Sequence, residues 1–224
     1  MAITEADHDD AEYTRRLSAA SEAIEAGQLV AAARALDSII AHYEAEHVDP
    51  EVRNYTARNQ VEAMAYLLRA AAEGPEREEG EPRDARVLAA LWGDAYYLRG
   101  YVSVEKKDYD DAERWLQKAV ALAPMNSRYL AELGHIYTAR RDWPNAVKTF
   151  EGAWEAADLS PEEIRVGDKT RALRGVGYVL IETGELDKAK LLYEECLKLN
   201  PRDAAADREL QYIEQLKARQ GGPG

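Results

Sequence analysis

The sequence predicts an all-α protein, an α-solenoid of about ten helices arranged in stacked pairs. Three observations lead to this class. Glycine and alanine recur at a fixed spacing along the chain, helix-capping residues stand between the recurring segments, and the segments themselves carry apolar residues at helical spacing.

Equivalent glycine and alanine positions are separated by a constant number of residues, which is the spacing between Gly100 and Gly134. The next step, from Gly134 to Gly177, is longer by the insertion 161–169. An internal period of this size is typical of repeat proteins, whose units stack on their neighbours. Three further sets of positions show the same two steps: Ala112, Ala146 and Ala189; Leu116, Phe150 and Tyr193; Ala119, Ala153 and Cys196.

The recurring segments resemble the tetratricopeptide repeat, a helix–turn–helix unit. The resemblance is carried by "YYLRGYVSVEKKDYDDAERWLQKAVALAP", "YLAELGHIYTARRDWPNAVKTFEGA" and "ALRGVGYVLIETGELDKAKLLYEECLKLNP". Arg99 departs from the usual leucine of the family, and Cys196 replaces an alanine. The resemblance implies a right-handed superhelix of antiparallel helix pairs, with units at 93–126, 127–160 and 170–203.

The glycines inside helices have a packing explanation. Glycine costs about 1 kcal/mol of helix propensity relative to alanine, a cost that close contact between two helices can offset. We therefore expect Gly134, Ala146 and Ala153 to form a close-packed seam between the helices of one unit.

Helix starts are also marked. Asp108 and Asp142 precede the second helices of two units as expected N-caps, and Pro144 lies in a predicted first turn. Residues 160–163, Ser-Pro-Glu-Glu, predict a capping box with proline at the first helical position, so the insertion 161–169 is expected to be helical.

The N-terminal part of the chain divides by composition. Residues 1–12 predict a flexible acidic tail, and residues 13–72 a helical region with a degenerate repeat (13–46) and an extra helix. Residues 73–84 are a charged linker. Asp84 is expected to start an elongated helix that runs to about Lys106.

The C-terminal part is predicted to be more regular. Residues 85–201 hold the three repeats, and residues 202–220 form a capping helix that covers the apolar face of the last repeat. Its apolar stripe consists of Leu210, Ile213 and Leu216. Residues 221–224 are expected to be disordered.

Charge excludes some partners. The net charge is -13, which repels phosphate backbones and anionic lipid, so neither nucleic acid nor membrane binding is expected. The mean hydropathy of -0.54 accompanies no long apolar run. The first residues lack a cationic-then-apolar signal, so we expect a cytoplasmic location, and a periplasmic one if a leader was removed.

No motif indicates an enzyme, a cofactor or a metal site. His42 and His47 are separated by a spacing that directs them to different sides of a helix. Cys196 occupies an alanine position of the packing face, which favours a buried, inert thiol. We predict no catalytic, cofactor-binding or metal-binding residues.

The resemblance implies a concave groove lined by the first helices of successive repeats. The opposing interpretation is that Tyr97 or Tyr101 packs in the core and that the arginines only face solvent. The predicted partner-binding residues of the groove are Asp94, Tyr97, Tyr101, Arg128, His135, Arg171, Arg174 and Tyr178.

The predicted function is a non-enzymatic scaffold that binds a protein or peptide, acidic or with a free carboxylate. One alternative is a chaperone-like or immunity (inhibitor) subunit that binds a basic client through its acidic surface. Another is a self-assembling structural subunit, and the sequence leaves the oligomeric state open. An adaptor for chaperone tails is not expected, because Arg171 is the one basic residue at the family's clamp positions.

Overall fold

The computed structural model describes residues 8–72 and 84–220, and these residues form ten α-helices and two short β-strands. The chain divides into two units, Met1–Pro124 and Met125–Gly224. The prediction of an all-α protein with about ten helices is confirmed, with the two strands as an addition. The predicted linker, apart from Asp84, and the C-terminal end 221–224 lie outside the described residues.

The first unit contains five helices and both strands among its described residues. Its start corrects the predicted tail, because residues 8–12 already belong to the first helix, while residues 1–7 lie outside the described residues. The elements are α1 (His8–Glu25), α2 (Leu29–His47), β1 (Val52–Ala57), α3 (Gln60–Ala72), β2 (Asp84–Ala89), α4 (Leu91–Glu105) and α5 (Tyr109–Leu122).

The second unit is helical throughout its described residues. Helix α8 has 21 residues because it includes residues 162–169 of the insertion. The elements are α6 (Ser127–Ala139), α7 (Trp143–Ala156), a 3-10 turn (Ala157–Leu159), α8 (Glu162–Glu182), α9 (Leu186–Leu199) and α10 (Ala204–Gln220).

The two strands correct the predictions for residues 51–59 and 84–90. Both segments were expected to be helical, but β1 and β2 pair in parallel, with Tyr55 opposite Val87. The side-chain amide of Asn54 donates to the carbonyl of His47 at 2.7 Å, and the buried ring of Tyr55 stacks on Tyr66. Pairing between segments that are distant along the chain overrides the local helical pattern, which a sequence window does not reveal.

Four helix pairs share one turn, and each turn holds a residue with positive φ. In each turn the amide of this residue donates to the carbonyl three residues earlier, and the next amide to the carbonyl five residues earlier. The pair α1–α2 therefore has the same turn as the three repeats. The turn residues of the three repeats are separated by the same two steps as the recurring glycines. The turn residues of the four pairs are Gly27 (71°), Lys107 (60°), Arg141 (58°) and Gly184 (83°).

The helix starts follow the predicted caps in two repeats and differ in the third. The side chains of Asp108 and Asp142 accept hydrogen bonds from the amides three residues later, as predicted, and Pro144 lies in the first turn of α7. The capping box predicted for 160–163 is wrong. The hydroxyl of Ser160 donates instead to the buried carboxylate of Asp168 at 2.8 Å.

A glycine on the first helix of each repeat lies against one large side chain of the second helix. The predicted seam is thus confirmed, with Ala146 and Ala153 fully buried beside it. A Cβ atom added to the glycine would lie within 3 Å of that side chain in all three repeats. The distance is 2.9 Å from Gly100 to Leu116, 2.8 Å from Gly134 to Phe150 and 2.8 Å from Gly177 to Tyr193.

Phe150, the single phenylalanine of the chain, is enclosed on two sides. A Cβ atom on Gly175 of α8 would lie 2.4 Å from its ring, in addition to the contact with Gly134 of α6. The ring is fully buried. Glycine is thus required at both positions for α6 and α8 to approach α7.

Arg99 holds the first repeat to α2. Its Nε atom donates to Asp37 at 2.9 Å and its Nη1 atom to Ser103 at 3.0 Å. The guanidinium group also lies 5.1 Å from the ring centre of Trp115. The arginine that departs from the family leucine thus makes polar contacts where a leucine would make apolar ones.

We predict that Gly134→Ala lowers the free energy of unfolding by about 1–3 kcal/mol, because the new methyl group would overpack a ring that cannot move towards α8. The matched change Gly167→Ala should raise it by up to about 1 kcal/mol, since alanine favours the helix and no atom lies within 4 Å of its Cβ position. Urea unfolding of both variants measures the difference. Shifts of the same sign would contradict the seam.

We also predict that Lys107→Gly raises the free energy of unfolding by about 0.5–1 kcal/mol, because a side chain at positive φ is strained and glycine is not. Gly184→Ala should have the opposite effect at the equivalent turn. Thermal unfolding followed by circular dichroism checks both, and a less stable Lys107→Gly variant would argue against the turn geometry.

Candidate functional site

Helices α6, α8, α9 and α10 of the second unit surround a cavity of about 370 Å³. This volume lies within the range of small-ligand sites. The cavity is lined by His135, Thr138, Arg171, Arg174, Gly175, Tyr178, Tyr193, Ala205 and Glu209.

The structure brings together half of the predicted groove residues. His135, Arg171, Arg174 and Tyr178 line the cavity. Arg128 lies in the first turn of α6, outside the lining. The remaining three residues are half-buried on α4 of the first unit: Asp94, Tyr97 and Tyr101.

The spacing of the residues on α8 explains why they share the cavity. Arg171, Arg174 and Tyr178 are separated by three and four residues, so they lie on one face of the helix. Ala172 and Val179 lie on a neighbouring face, buried in the cluster around Phe150. The helix thus presents its polar face to the cavity because its apolar face packs on α7.

Arg174 is occupied by an ion pair within the protein. Its guanidinium group pairs with the carboxylate of Asp203, whose side chain is 6% exposed. The same carboxylate accepts hydrogen bonds from the amides of Ala205 and Ala206, both at 3.1 Å, at the start of α10. Arg174 therefore fixes the capping helix in place, a role that the sequence did not indicate.

Two charged residues of the cavity wall, unlike Arg174, have no ion-pair partner in the described part of the chain. Arg171 on α8 and Glu209 on α10 form no ion pair, either with each other or elsewhere among residues 8–72 and 84–220. Each side chain is half-buried. A half-buried charge without a partner leaves part of its desolvation cost uncompensated, so each is a candidate ligand contact.

His135 is a solvent-exposed side chain on the cavity wall. Its ring meets the ring of Phe150 edge to face, with the centroids 5.1 Å apart. The protein surroundings disfavour the charged imidazolium, and the guanidinium groups of Arg171 and Arg174 repel it, so the pKa of His135 falls to about 4. The imidazole is therefore neutral at pH 7.

Two tyrosines complete the wall. Tyr178 is 42% exposed and offers an open aromatic ring, whereas Tyr193 is buried and donates its hydroxyl to the carbonyl of Arg174 at 3.3 Å. Burial, and then the nearby carboxylate of Glu209, raise the pKa of Tyr193. Burial and the carboxylate of Glu182 raise the pKa of Tyr178 in the same way. Both phenols therefore stay neutral hydrogen-bonding groups at pH 7.

Five residues of the lining are not among the predicted groove residues: Thr138, Gly175, Tyr193, Ala205 and Glu209. In the sequence Tyr193 marks a repeat position, and α10 was expected only to cover an apolar face. The apolar part of that expectation is confirmed, because Ile213 is buried and Leu210 and Leu216 pack against the core of α9. No sequence signal showed that the first turns of α10 also close a cavity.

A cavity of about 380 Å³ in the first unit has different electrostatics. It is lined by Asp111, Arg114, Trp115 and Lys118. Arg114 pairs with Asp111 at 2.7 Å, and Lys118 with Glu44 of α2 at 3.0 Å. Because each of these cations already has a carboxylate partner, this cavity is the weaker candidate for a charged ligand.

Residues 8–72 and 84–220 hold neither a cluster of metal ligands nor a membrane-spanning helix. In that part of the chain no group of three or more histidine, cysteine, aspartate or glutamate side chains is placed to hold a metal ion. Its helices are all too short or too polar to span a bilayer. Cys196 is buried, and its burial raises the thiol pKa to about 11.

Comparison with curated proteins finds similarity over part of the chain. Prolyl 4-hydroxylase subunit alpha-1 of Homo sapiens is 32% identical over 89 residues, and the Bos taurus protein is 30% identical over the same length. The match covers 40% of this chain and 16% of the relative. The chain thus spans about a sixth of the length of the curated relatives it matches.

Comparison with solved structures shows the fold. PilF of Pseudomonas aeruginosa aligns with a TM-score of 0.59 at 16% identity, over 97% of this chain and 80% of PilF. MamA of AMB-1 aligns with a TM-score of 0.51 at 16% identity, over 94% of this chain and 85% of MamA. At this identity the likeness is one of fold.

Sequence models of one family, described as "Tetratricopeptide repeat", match three segments of the chain. One model matches residues 93–126 and 170–203, the limits predicted for the first and third repeats. Another matches residues 130–163, slightly later than the predicted second repeat. With the shared turn and the seam, these matches show that three tetratricopeptide repeats lie between residues 93 and 203.

Proposed function

We propose that the protein is a non-enzymatic binding scaffold whose second-unit cavity binds a polypeptide segment through a carboxylate. The observation that carries this proposal is the guanidinium group of Arg171, which faces the cavity without an ion pair among the described residues. A carboxylate from a partner would supply the missing counter-charge.

The chemistry of arginine suits this task. A guanidinium group can donate two parallel hydrogen bonds to one carboxylate, which fixes its orientation as well as its charge. Arginine and tyrosine are enriched among the residues that dominate binding energy at protein interfaces. Tyr178 supplies such a ring beside Arg171 on the same face of α8.

The charges of the cavity favour a single carboxylate over a phosphate group. Arg174 is already neutralised by Asp203, and His135 is neutral at pH 7. Arg171 therefore remains the one cationic side chain of the lining without an ion-pair partner among the described residues, which matches one carboxylate, and Glu209 would repel further negative charge. A doubly charged phosphate would leave one charge without a partner.

The net charge of -13 favours a second candidate function. The acidic surface could cover a basic client, as in a chaperone-like or inhibitory subunit. Binding of that kind weakens steeply as salt is added and is indifferent to Arg171, whereas binding through the cavity depends on Arg171.

We predict that Arg171→Glu weakens binding of the probe Ac-Ala-Ala-Ala-Ala with a free C-terminal carboxylate by at least about tenfold. The reason is the loss of a charge-assisted hydrogen bond of about 1.5–3 kcal/mol. Amide chemical-shift titration, read at Thr138 and Gly175, measures the dissociation constant even when binding is weak. Arg174 is left unchanged in this test, since replacing it would remove the ion pair with Asp203 that anchors α10.

Two controls accompany this measurement. Arg208→Glu makes the same change of charge at an exposed position of α10 outside the lining and should bind the probe like the unmodified protein. The C-terminal amide of the probe should bind at least tenfold more weakly than the acid. If acid and amide bind equally well, the proposed function is wrong.

We predict that Arg171→Glu also raises the pKa of His135, because a repelling guanidinium group is replaced by an attracting carboxylate. An NMR titration of the imidazole C–H signals should give a midpoint near 4 in the unmodified protein and a higher one in the variant. Arg208→Glu should leave the midpoint unchanged.

The lowered pKa also has a consequence for stability. The unfolded chain takes up a proton at His135 near pH 6.5, before the folded protein does. Stability is therefore lost as the pH falls from about 6.5 through the folded pKa. In Arg171→Glu the contribution of His135 to the pH dependence of stability should shrink. An unchanged titration midpoint of His135 in this variant would mean that the side chains of residues 135 and 171 are not close together in solution.

A further inference from the structure

We infer that the cavity of the second unit selects the carboxyl end of a polypeptide whose last residue is basic, with its carboxylate on Arg171 and its side-chain cation on Glu209. This inference rests on the proposed function and specifies its ligand. It starts from two charges of opposite sign, unpaired among the described residues, on the walls of one cavity.

The two charges come from different helices. Arg171 lies on α8 and Glu209 on α10, and they make no ion pair with each other although they share the cavity. Each charge is therefore left without a protein counter-charge within ion-pair distance among the described residues. A ligand that carries a carboxylate and a cation on one residue can neutralise both walls at once.

The segment of α10 that carries Glu209 is itself fixed. Asp203 caps α10 and pairs with Arg174 of α8, so the start of α10 is anchored close to that helix. Ile213 then buries the apolar side of α10 against the core of α9. Glu209 lies between these two anchor points along α10, so the backbone that carries it is held on both sides.

The surface between the two charges suits an aliphatic stem. The exposed ring of Tyr178 and the ring of Tyr193 both line the cavity. The methylene groups of lysine and arginine pack well along such apolar surface while their charged ends reach a polar partner. A cation near the aromatic faces is also favoured electrostatically.

The charge of the whole chain acts in the same direction. A net charge of -13 attracts a cationic peptide and repels an acidic one before contact is made. An acidic last residue would moreover place a second carboxylate near Glu209. The observations therefore favour a basic carboxyl end over the acidic segment expected from sequence.

The test compares four probes by amide chemical-shift titration: Ac-Ala-Ala-Ala-Lys as the free acid, its C-terminal amide, Ac-Ala-Ala-Ala-Glu and Ac-Ala-Ala-Ala-Ala. The unmodified protein should bind the lysine acid at least tenfold more tightly than each of the other three. Nα-acetyl-lysine, as a fifth probe, should bind more weakly than the tetrapeptide. If Nα-acetyl-lysine and the tetrapeptide bind equally well, the ligand is a small molecule and not the end of a peptide, and the inference is overturned.

The decisive variant is Glu209→Lys, which should reverse the preference, so that the peptide ending in glutamate binds more tightly than the one ending in lysine. Glu151→Lys makes the same change of net charge at an exposed position of α7 and should keep the original preference. This control separates the local contact from the long-range field. Retained amide dispersion in each variant verifies the fold.

The outcomes distinguish the two proposals. If the alanine and lysine acids bind equally and Glu209→Lys reverses nothing, while Arg171→Glu still abolishes binding of both, the inference is wrong and the proposed function stands. If binding of the acids does not depend on Arg171, both are wrong.

Discussion

The structure depends on the close approach of two helices at a glycine, because a large side chain of the second helix occupies the space that a Cβ atom would need. This contact recurs between Gly100 and Leu116, and the same arrangement is found in the next two repeats. Around Phe150 it is doubled, since Gly175 of the following repeat contacts the same ring. The register of α6, α7 and α8 is thereby set by the packing of a single aromatic side chain.

The register of α8 in turn decides what faces the cavity. Once Ala172 and Val179 are buried in the cluster around Phe150, the neighbouring face of the helix borders the cavity, which places Arg171, Arg174 and Tyr178 together. A carboxylate at the start of α10 then engages both Arg174 and the first amides of that helix. One buried carboxylate thus both starts the capping helix and removes one of two positive charges from the site.

Charge pairing distinguishes the cavity of the first unit from the cavity of the second unit. In the first unit, the cations of the cavity are matched by carboxylates of the same unit, and Lys118 additionally lies 5.1 Å from the ring centres of Tyr96 and Trp115. Such a closed arrangement stabilises the fold and leaves little for a ligand to gain. In the second unit, Arg171 and Glu209 have no ion-pair partner among the described residues, so a ligand can supply the missing counter-charges.

The sequence by itself determined the repeats, the seam and two helix caps, because these depend on local propensity and on a spacing that recurs from one unit to the next. The tertiary structure decided the rest. The strands β1 and β2 form through pairing between segments that are distant along the chain, against the helical expectation for the residues that follow the linker. The groove positions of Arg171, Arg174 and Tyr178 were predicted from the repeat. The sequence did not predict that Arg174 pairs within the protein while Arg171 has no ion-pair partner among the described residues. This difference depends on Asp203 and Glu209 of the C-terminal segment, whose position is set by packing on α9 and not by any pattern in its own residues.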